Sequence, residues 1–169
     1  ARLRREFGAG VGCVLQSMLR RTLDDARALL AEAAPLNVRL VKGIYVEPEE
    51  VAFQEPAEVN RSYLEVLRAL LEGGAFVGAA THDDALVEGL QALLAERPEW
   101  GERCELQMLL GVREDLRQRA RAAGLPVRVY VPYGSHWLPY VRRRLRKNPR
   151  LARLAMLGLF RRRESLAEG

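Results

Sequence analysis

The sequence predicts an α/β fold in which helices cover a parallel sheet, built from about five βα units in series. Short, nearly continuous apolar runs alternate with longer segments whose apolar residues recur at helical spacing. Continuous apolar strands are typical of parallel sheets, because both faces of such strands are buried. Five units fit either an open doubly wound sheet or part of an eight-stranded barrel, and the periodicity alone does not separate these architectures.

Local patterns predict where each element begins and ends. Thr22, with Asp25 three residues later, indicates a capping box at the start of the first helix. Gly73-Gly74 and Gly124 are expected to end two later helices. The strands are predicted at residues 11–16, 38–41, 76–80, 104–107 and 127–131. The helices are predicted at residues 22–34, 58–72, 84–95 and 113–123, with two more beginning near 138 and 149. No GxGxxG motif follows a strand, so a Rossmann dinucleotide site is not expected.

Composition is that of an ordinary globular domain. The chain has 169 residues, of which 49% are hydrophobic and 29% charged, and its net charge is +5. Most of the positive excess lies in residues 142–163. Cys13 and Cys104 are far apart and lack metal-ligand spacing, so we expect buried thiols on strands and no metal site. No apolar run approaches the length of a membrane span, and the charged beginning followed by a short apolar run indicates no secretory signal.

Polar side chains stand at the carboxyl end of every predicted strand, the edge at which parallel sheets and barrels bind ligands. Polar groups within apolar strands are unfavourable unless paired, so their recurrence suggests a shared pocket. Arg39 alternates with apolar neighbours and is expected to meet an anion, whereas Gln16 is equally well explained as a hydrogen-bonded core amide. The full set comprises Gln16, Arg39, Lys42, Gly43, Tyr45, Thr81, His82, Glu105, Gln107 and Tyr130.

A second polar cluster follows the fifth strand, in the segment VPYGSHWLPYVRRRLRKNP. Tyr140, Arg143 and Arg144 are spaced i, i+3, i+4 and therefore share one face of a helix. Two adjacent guanidinium groups suit a carboxylate or phosphate held bidentately. The alternative is an ordinary basic helix whose arginines are all solvated.

Five segments, in order, resemble the motifs of proline dehydrogenase. They are VGCVLQSMLRRT (11–22), RLVKGIY (39–45), ATHD (80–83), CELQMLLGV (104–112) and VYVPYGSHWLPYVRRRL (129–145). The resemblance covers residues 11–149 and implies a (β/α)8 TIM-type barrel, an FAD cofactor and oxidation of L-proline to Δ1-pyrroline-5-carboxylate. It further implies that residues 1–169 form a single domain corresponding to the C-terminal five units of the barrel, with 150–169 as a basic C-terminal helix. Three earlier βα units of the family have no counterpart before Val11.

The resemblance also implies a role for each motif residue. Arg39 would lie near the flavin N5 edge and, with Tyr130, act catalytically. Arg143 and Arg144 would hold the proline carboxylate, in agreement with the spacing argument. The residues expected to contact FAD are Gln16, Arg39, Lys42, Gly43, Ile44, Thr81 and His82. The proline pocket would be walled by Tyr45, Tyr130 and Tyr140. Three positions depart from the family pattern: Ile44 replaces a small residue, Asp83 an asparagine and Lys147 a glutamate.

The implied partners are L-proline and a quinone-type electron acceptor, in a cytoplasmic protein with possible peripheral contact at the inner membrane. Two alternatives remain: an inactive isolated half-barrel with two open sheet edges, and a basic module on residues 142–163 that binds anionic surfaces. Nucleic-acid binding is not expected, because the basic segment lacks the interleaved aromatic side chains of a base-stacking platform.

Overall fold

Five strands and five α-helices alternate along the part of the chain that the structure describes. A computed structural model describes residues 2–32, 35–131 and 133–134. The strands are β1 (Gly12–Gln16), β2 (Asn37–Val41), β3 (Phe76–Ala80), β4 (Cys104–Leu109) and β5 (Val127–Tyr130). The helices are α1 (Arg2–Phe7), α2 (Thr22–Leu30), α3 (Pro56–Glu72), α4 (Asp84–Glu96) and α5 (Glu114–Ala122), with short 3-10 turns at Gly8–Gly10 and Pro98–Arg103. All five predicted strands are confirmed, as are the four helices predicted between them. The helices predicted near 138 and 149 lie outside the described residues.

The strands form one parallel sheet in the order β1-β2-β3-β4-β5, the sequential order that the resemblance to a (β/α)8 barrel implies. The pairing register places Val14, Arg39, Gly78 and Glu105 in one row across four strands. Strands in sequential order, with a helix between each strand and the next, are the repeating arrangement of a (β/α) barrel. The sheet is therefore consistent with part of a TIM-like barrel.

The core lies between one face of the sheet and the helices. Leu40, Val77 and Leu106 on the strands are fully buried, as are Leu67 and other apolar residues of α3. These strand positions alternate with residues on the opposite side of the sheet, which we call the open face. Val14 on the open face is 59% exposed, so the described helices leave this side uncovered. The open face consists of Val14, Gln16, Arg39, Val41, Gly78, Ala80, Glu105, Gln107, Leu109, Arg128 and Tyr130.

The predicted capping box at the start of α2 is wrong. Thr22 is the first helical residue, and its hydroxyl donates to the Gln16 carbonyl at 2.6 Å instead of capping the helix. Asp25 is paired with Arg21 four residues earlier, at 2.8 Å. Thr22 therefore closes the turn between β1 and α2, because the short loop brings the strand end within reach of its side chain. The glycine predictions are confirmed, since Gly74 and Gly124 adopt positive φ just after α3 and α5.

Both cysteines lie on strands and point toward the helices. Burial raises the pKa of the Cys104 thiol to about 12, whereas Cys13 is only half-buried, so the expectation of two buried thiols is met in full by Cys104 alone. Within the described ranges, no helix combines the length and the apolar character needed to cross a bilayer.

Candidate active site at the carboxyl edge of the sheet

Three polar residues from three strands meet on the open face. The Arg39 guanidinium donates through Nη1 to Oε1 of Gln107. The same guanidinium lies 5.8 Å from the ring centroid of Tyr130, within the range of a cation–π contact. The structure therefore brings together three of the residues that the sequence singled out, from β2, β4 and β5.

An ion pair lies beside this group. The Glu105 carboxylate accepts from Arg128 Nε at 2.5 Å and from Gln107 Nε2 at 2.7 Å. Burial alone would raise the pKa of Glu105, but the two hydrogen bonds and the nearby positive charges lower it below its usual value. Glu105 is therefore ionised at neutral pH, and its charge is directed at Arg128.

A glycine turn follows β2 at Lys42-Gly43. Gly43 has φ +107, and a Cβ atom there would lie 2.2 Å from Sδ of Met18. The turn thus needs glycine for its backbone conformation and for the close approach of Met18. Backbone hydrogen bonds join the loop to the segment after β1, including Met18 N to Lys42 O at 2.9 Å and Phe53 N to Met18 O at 2.8 Å.

Lys42 and Asp83 connect the ends of β2 and β3. Lys42 Nζ lies 2.5 Å from Asp83 Oδ2, and Asp83 Oδ1 accepts the Ala85 N–H at the start of α4. Burial opposes ionisation of Asp83, but Lys42, Asn60 and the Ala85 N–H lower its pKa. The Lys42 ammonium is therefore held at the carboxyl edge by a carboxylate that also caps a helix.

Thr81 and His82 lie in the turn between β3 and α4. Thr81 is 5% exposed, and its hydroxyl accepts the Asp83 N–H at 3.1 Å, so its side chain is turned into the loop. His82 Nε2 accepts the Leu109 N–H at 2.9 Å, which places the imidazole against the end of β4. The neutral ring therefore carries its proton on Nδ1. Arg113 donates to the His82 carbonyl at 3.3 Å.

The remaining predicted site residues lie after the glycine turn, at the end of β1, or outside the described residues. Ile44 and Tyr45 follow the glycine turn and are each 57% exposed. Gln16 ends β1 on the open face, opposite Val41. The predicted substrate residues Tyr140, Arg143 and Arg144 lie outside the described residues.

Sequence reasoning missed Arg128, Asn60 and Gly78. Arg128 precedes Tyr130 by two positions on the same strand, so strand alternation was the signal that could have found it. Asn60 lies on α3 and reaches Asp83 only because the helix packs beside β3.

The described residues hold no group of three or more His, Cys, Asp or Glu side chains able to bind a metal ion.

A parallel sheet with helices on one face and cationic, amide and aromatic side chains toward its carboxyl edge is the arrangement in which (β/α)-barrel enzymes place their ligand-binding residues. The family model for proline dehydrogenase matches residues 2–153. The chain is 40% identical to proline dehydrogenase of Deinococcus radiodurans over 156 residues, covering 92% of this chain and 50% of that protein. It is 36% identical to proline dehydrogenase 2 of Bacillus subtilis over 151 residues, covering 88% and 48%.

Solved structures agree with the sequence comparisons. Proline utilization A from Bdellovibrio bacteriovorus, inactivated by N-propargylglycine, superposes with a TM-score of 0.66 at 29% identity, covering 79% of this chain and 16% of that one. Proline utilization A with proline bound in remote sites gives a TM-score of 0.63 at 28% identity, covering 80% and 16%. The chain belongs to the proline dehydrogenase family. It spans about half the length of the curated relatives it matches.

Proposed function

We propose that the natural polypeptide containing this chain oxidises L-proline to Δ1-pyrroline-5-carboxylate with FAD as its cofactor. Family membership supports the reaction. The observation that carries the site assignment is the meeting of Arg39, Gln107 and Tyr130 on the open face. In this proposal the single domain of residues 1–169 supplies the C-terminal part of the barrel.

The chemistry of these residues fits a flavin. A flavin ring offers hydrogen-bond acceptors along one edge and two apolar faces, and its reduced form is electron-rich. Arg39 supplies donors and positive charge, while the exposed Ile44 and Tyr45 supply apolar surface beside the glycine turn. The bound flavin would accept the hydride from proline. The protein residues orient both molecules: Lys42 and Gly43, with Gln16 and His82, would hold the cofactor. Thr81 would take part through its turn, since its hydroxyl already accepts the Asp83 N–H.

We further propose that Arg143 and Arg144 bind the proline carboxylate, with Tyr45, Tyr130 and Tyr140 around the ring. Replacing Arg143 or Arg144 by Met should raise the KM for proline by roughly tenfold to a hundredfold, because one charge-assisted hydrogen bond contributes about 1.5–3 kcal/mol. FAD content should change less. Steady-state kinetics on both variants checks this, and an unchanged KM in both would leave the arginines as surface charge.

The function itself is tested on the natural polypeptide beside residues 1–169 alone. The polypeptide should purify with flavin absorbance and reduce a quinone analogue in the presence of proline. A polypeptide without flavin and without proline-dependent reduction would overturn the proposal. Activity in the polypeptide and none in residues 1–169 would show that the remaining half of the barrel is needed.

The proposed electron transfer to a quinone-type acceptor gives a reason to propose a cytoplasmic protein with peripheral contact at the inner membrane. We propose that residues 142–163, which hold most of the excess positive charge, provide that contact. The polypeptide should sediment with anionic vesicles at low salt and be released by high salt. Equal binding to neutral vesicles would contradict an electrostatic contact.

A further inference from the structure

Four polar side chains form one hydrogen-bonded chain across the open face. Arg128 donates to Glu105 at 2.5 Å, and Gln107 donates to the same carboxylate oxygen at 2.7 Å. The amide oxygen of Gln107 accepts from Arg39. This series of hydrogen bonds thus runs from β5 through β4 to β2, passing over β3.

Glu105 determines which way the Gln107 amide points. An ionised carboxylate can only accept hydrogen bonds, so the NH2 group of Gln107 must face Glu105. The amide oxygen is then directed at Arg39, which can only donate. A Gln107 amide turned the other way would place NH2 against a guanidinium and an oxygen against a carboxylate, losing both hydrogen bonds.

Gly78 on β3 provides the space for this amide. A Cβ atom at Gly78 would lie 2.3 Å from Nε2 of Gln107 and 2.6 Å from its Cδ. Because β3 lies between β2 and β4, and Gly78 is the β3 residue paired with Arg39 and Glu105, the amide of Gln107 can reach across β3 to Arg39.

The arrangement holds Arg39 through the neutral amide of Gln107, while the Glu105 carboxylate acts on the Arg39 charge from farther away. Within the described ranges, no carboxylate lies within ion-pair distance of Arg39, whereas Glu105 is paired with Arg128. A neutral amide therefore fixes the guanidinium in place and leaves its positive charge directed at whatever occupies the open face.

We propose that Gln107, oriented by Glu105, is a positioning residue that directs the charge of Arg39 at an electron-rich group, the reduced flavin of the proposed function. The inference rests on that function. It adds a relay in which Glu105 acts through Gln107, never by contact with the cofactor.

If Glu105 acts through Gln107, the Glu105→Gln substitution should change the flavin midpoint potential in the opposite direction from a direct effect of the Glu105 charge. Removing a negative charge near a flavin by itself raises the midpoint potential, since reduction adds electrons. If Glu105 acts through Gln107, Glu105→Gln instead releases the amide and weakens the hold on Arg39, so the midpoint potential falls. The expected fall corresponds to about a tenfold change in the two-electron reduction equilibrium, or about 30 mV.

The experiment uses the flavin-loaded natural polypeptide and measures the midpoint potential and the Kd for FAD. Gln107→Met, which keeps the side-chain size but removes both hydrogen bonds, should lower the potential by a similar amount. In the Glu105→Gln/Gln107→Met double variant the two losses should not add, because one relay has been broken twice. Gln118→Glu on the exposed surface of α5 is the matched control and should leave the potential unchanged.

A higher or unchanged potential in Glu105→Gln, or additive losses in the double variant, would overturn the relay while the proposed function stands. A wild-type polypeptide that binds no FAD would overturn both. Circular dichroism on each variant shows whether a change in potential comes from a folded protein.

Discussion

Substituting Gly43 by alanine tests how the turn that carries the site residues is built. The change forces a residue with a Cβ atom to adopt φ +107, and it places that atom 2.2 Å from Sδ and 2.6 Å from Cγ of Met18. Strain of this kind is worth about 1–3 kcal/mol, and overpacking a buried contact adds about 1–3 kcal/mol. Gly43→Ala should therefore lower the free energy of unfolding by about 2–6 kcal/mol.

Two other glycines separate these contributions. Gly111 has φ +76 but open space around its Cβ position, so Gly111→Ala should show the strain alone, about 1–3 kcal/mol. Gly101 has neither a positive φ nor a close neighbour, so Gly101→Ala should change stability by no more than about 0.5–1 kcal/mol. Urea unfolding of the three variants and the parent, compared at constant m-value, gives the differences. A loss in Gly43→Ala no greater than that in Gly111→Ala would refute the packing argument, because it would mean that Met18 moves aside freely.

Two further predictions concern the core and the edge of the sheet. Tyr63→Phe removes a fully buried hydroxyl that donates to the Leu40 carbonyl at 3.2 Å. The free energy of unfolding measured in urea should therefore fall by about 0.5–1.5 kcal/mol. An unchanged unfolding midpoint would contradict the role of this hydrogen bond. Asp84 accepts from Arg113 and Arg119, which lowers its pKa, so its stabilising contribution is complete above the unfolded pKa of about 3.9 and is lost as pH falls through the lower folded value. Asp84→Asn should therefore reduce the free energy of unfolding at pH 7 and flatten the acid side of the stability curve. The control Asp24→Asn, in an exposed pair, should change neither. An unaltered curve for Asp84→Asn would refute the stabilising role of its ion pairs.

The sequence alone predicted the parallel sheet and four of the helices from local periodicity, and the strand order from the resemblance of its motifs to those of a barrel family. Alternation along a strand also separated Arg39 from its apolar neighbours, and the structure places it on the open face. Alternation is enforced by backbone geometry, so it survives without knowledge of the neighbours. The capping box at Thr22 failed for the opposite reason, since its hydroxyl had a competing acceptor, the Gln16 carbonyl, that a linear pattern does not display.

Only the tertiary structure decided which polar residues touch. Lys42 and Asp83 are 41 positions apart, and Arg39 and Gln107 are 68 apart, so their pairing depends on the strand register. The space above Gly78 likewise exists because β3 lies between β2 and β4. Residue types and their order along the chain determined the fold and the carboxyl edge on which polar groups gather. Packing between strands set the partner and direction of each hydrogen bond, including the bond from Arg39 to the Gln107 amide. The reason is that hydrogen bonding depends on distances that no local pattern encodes.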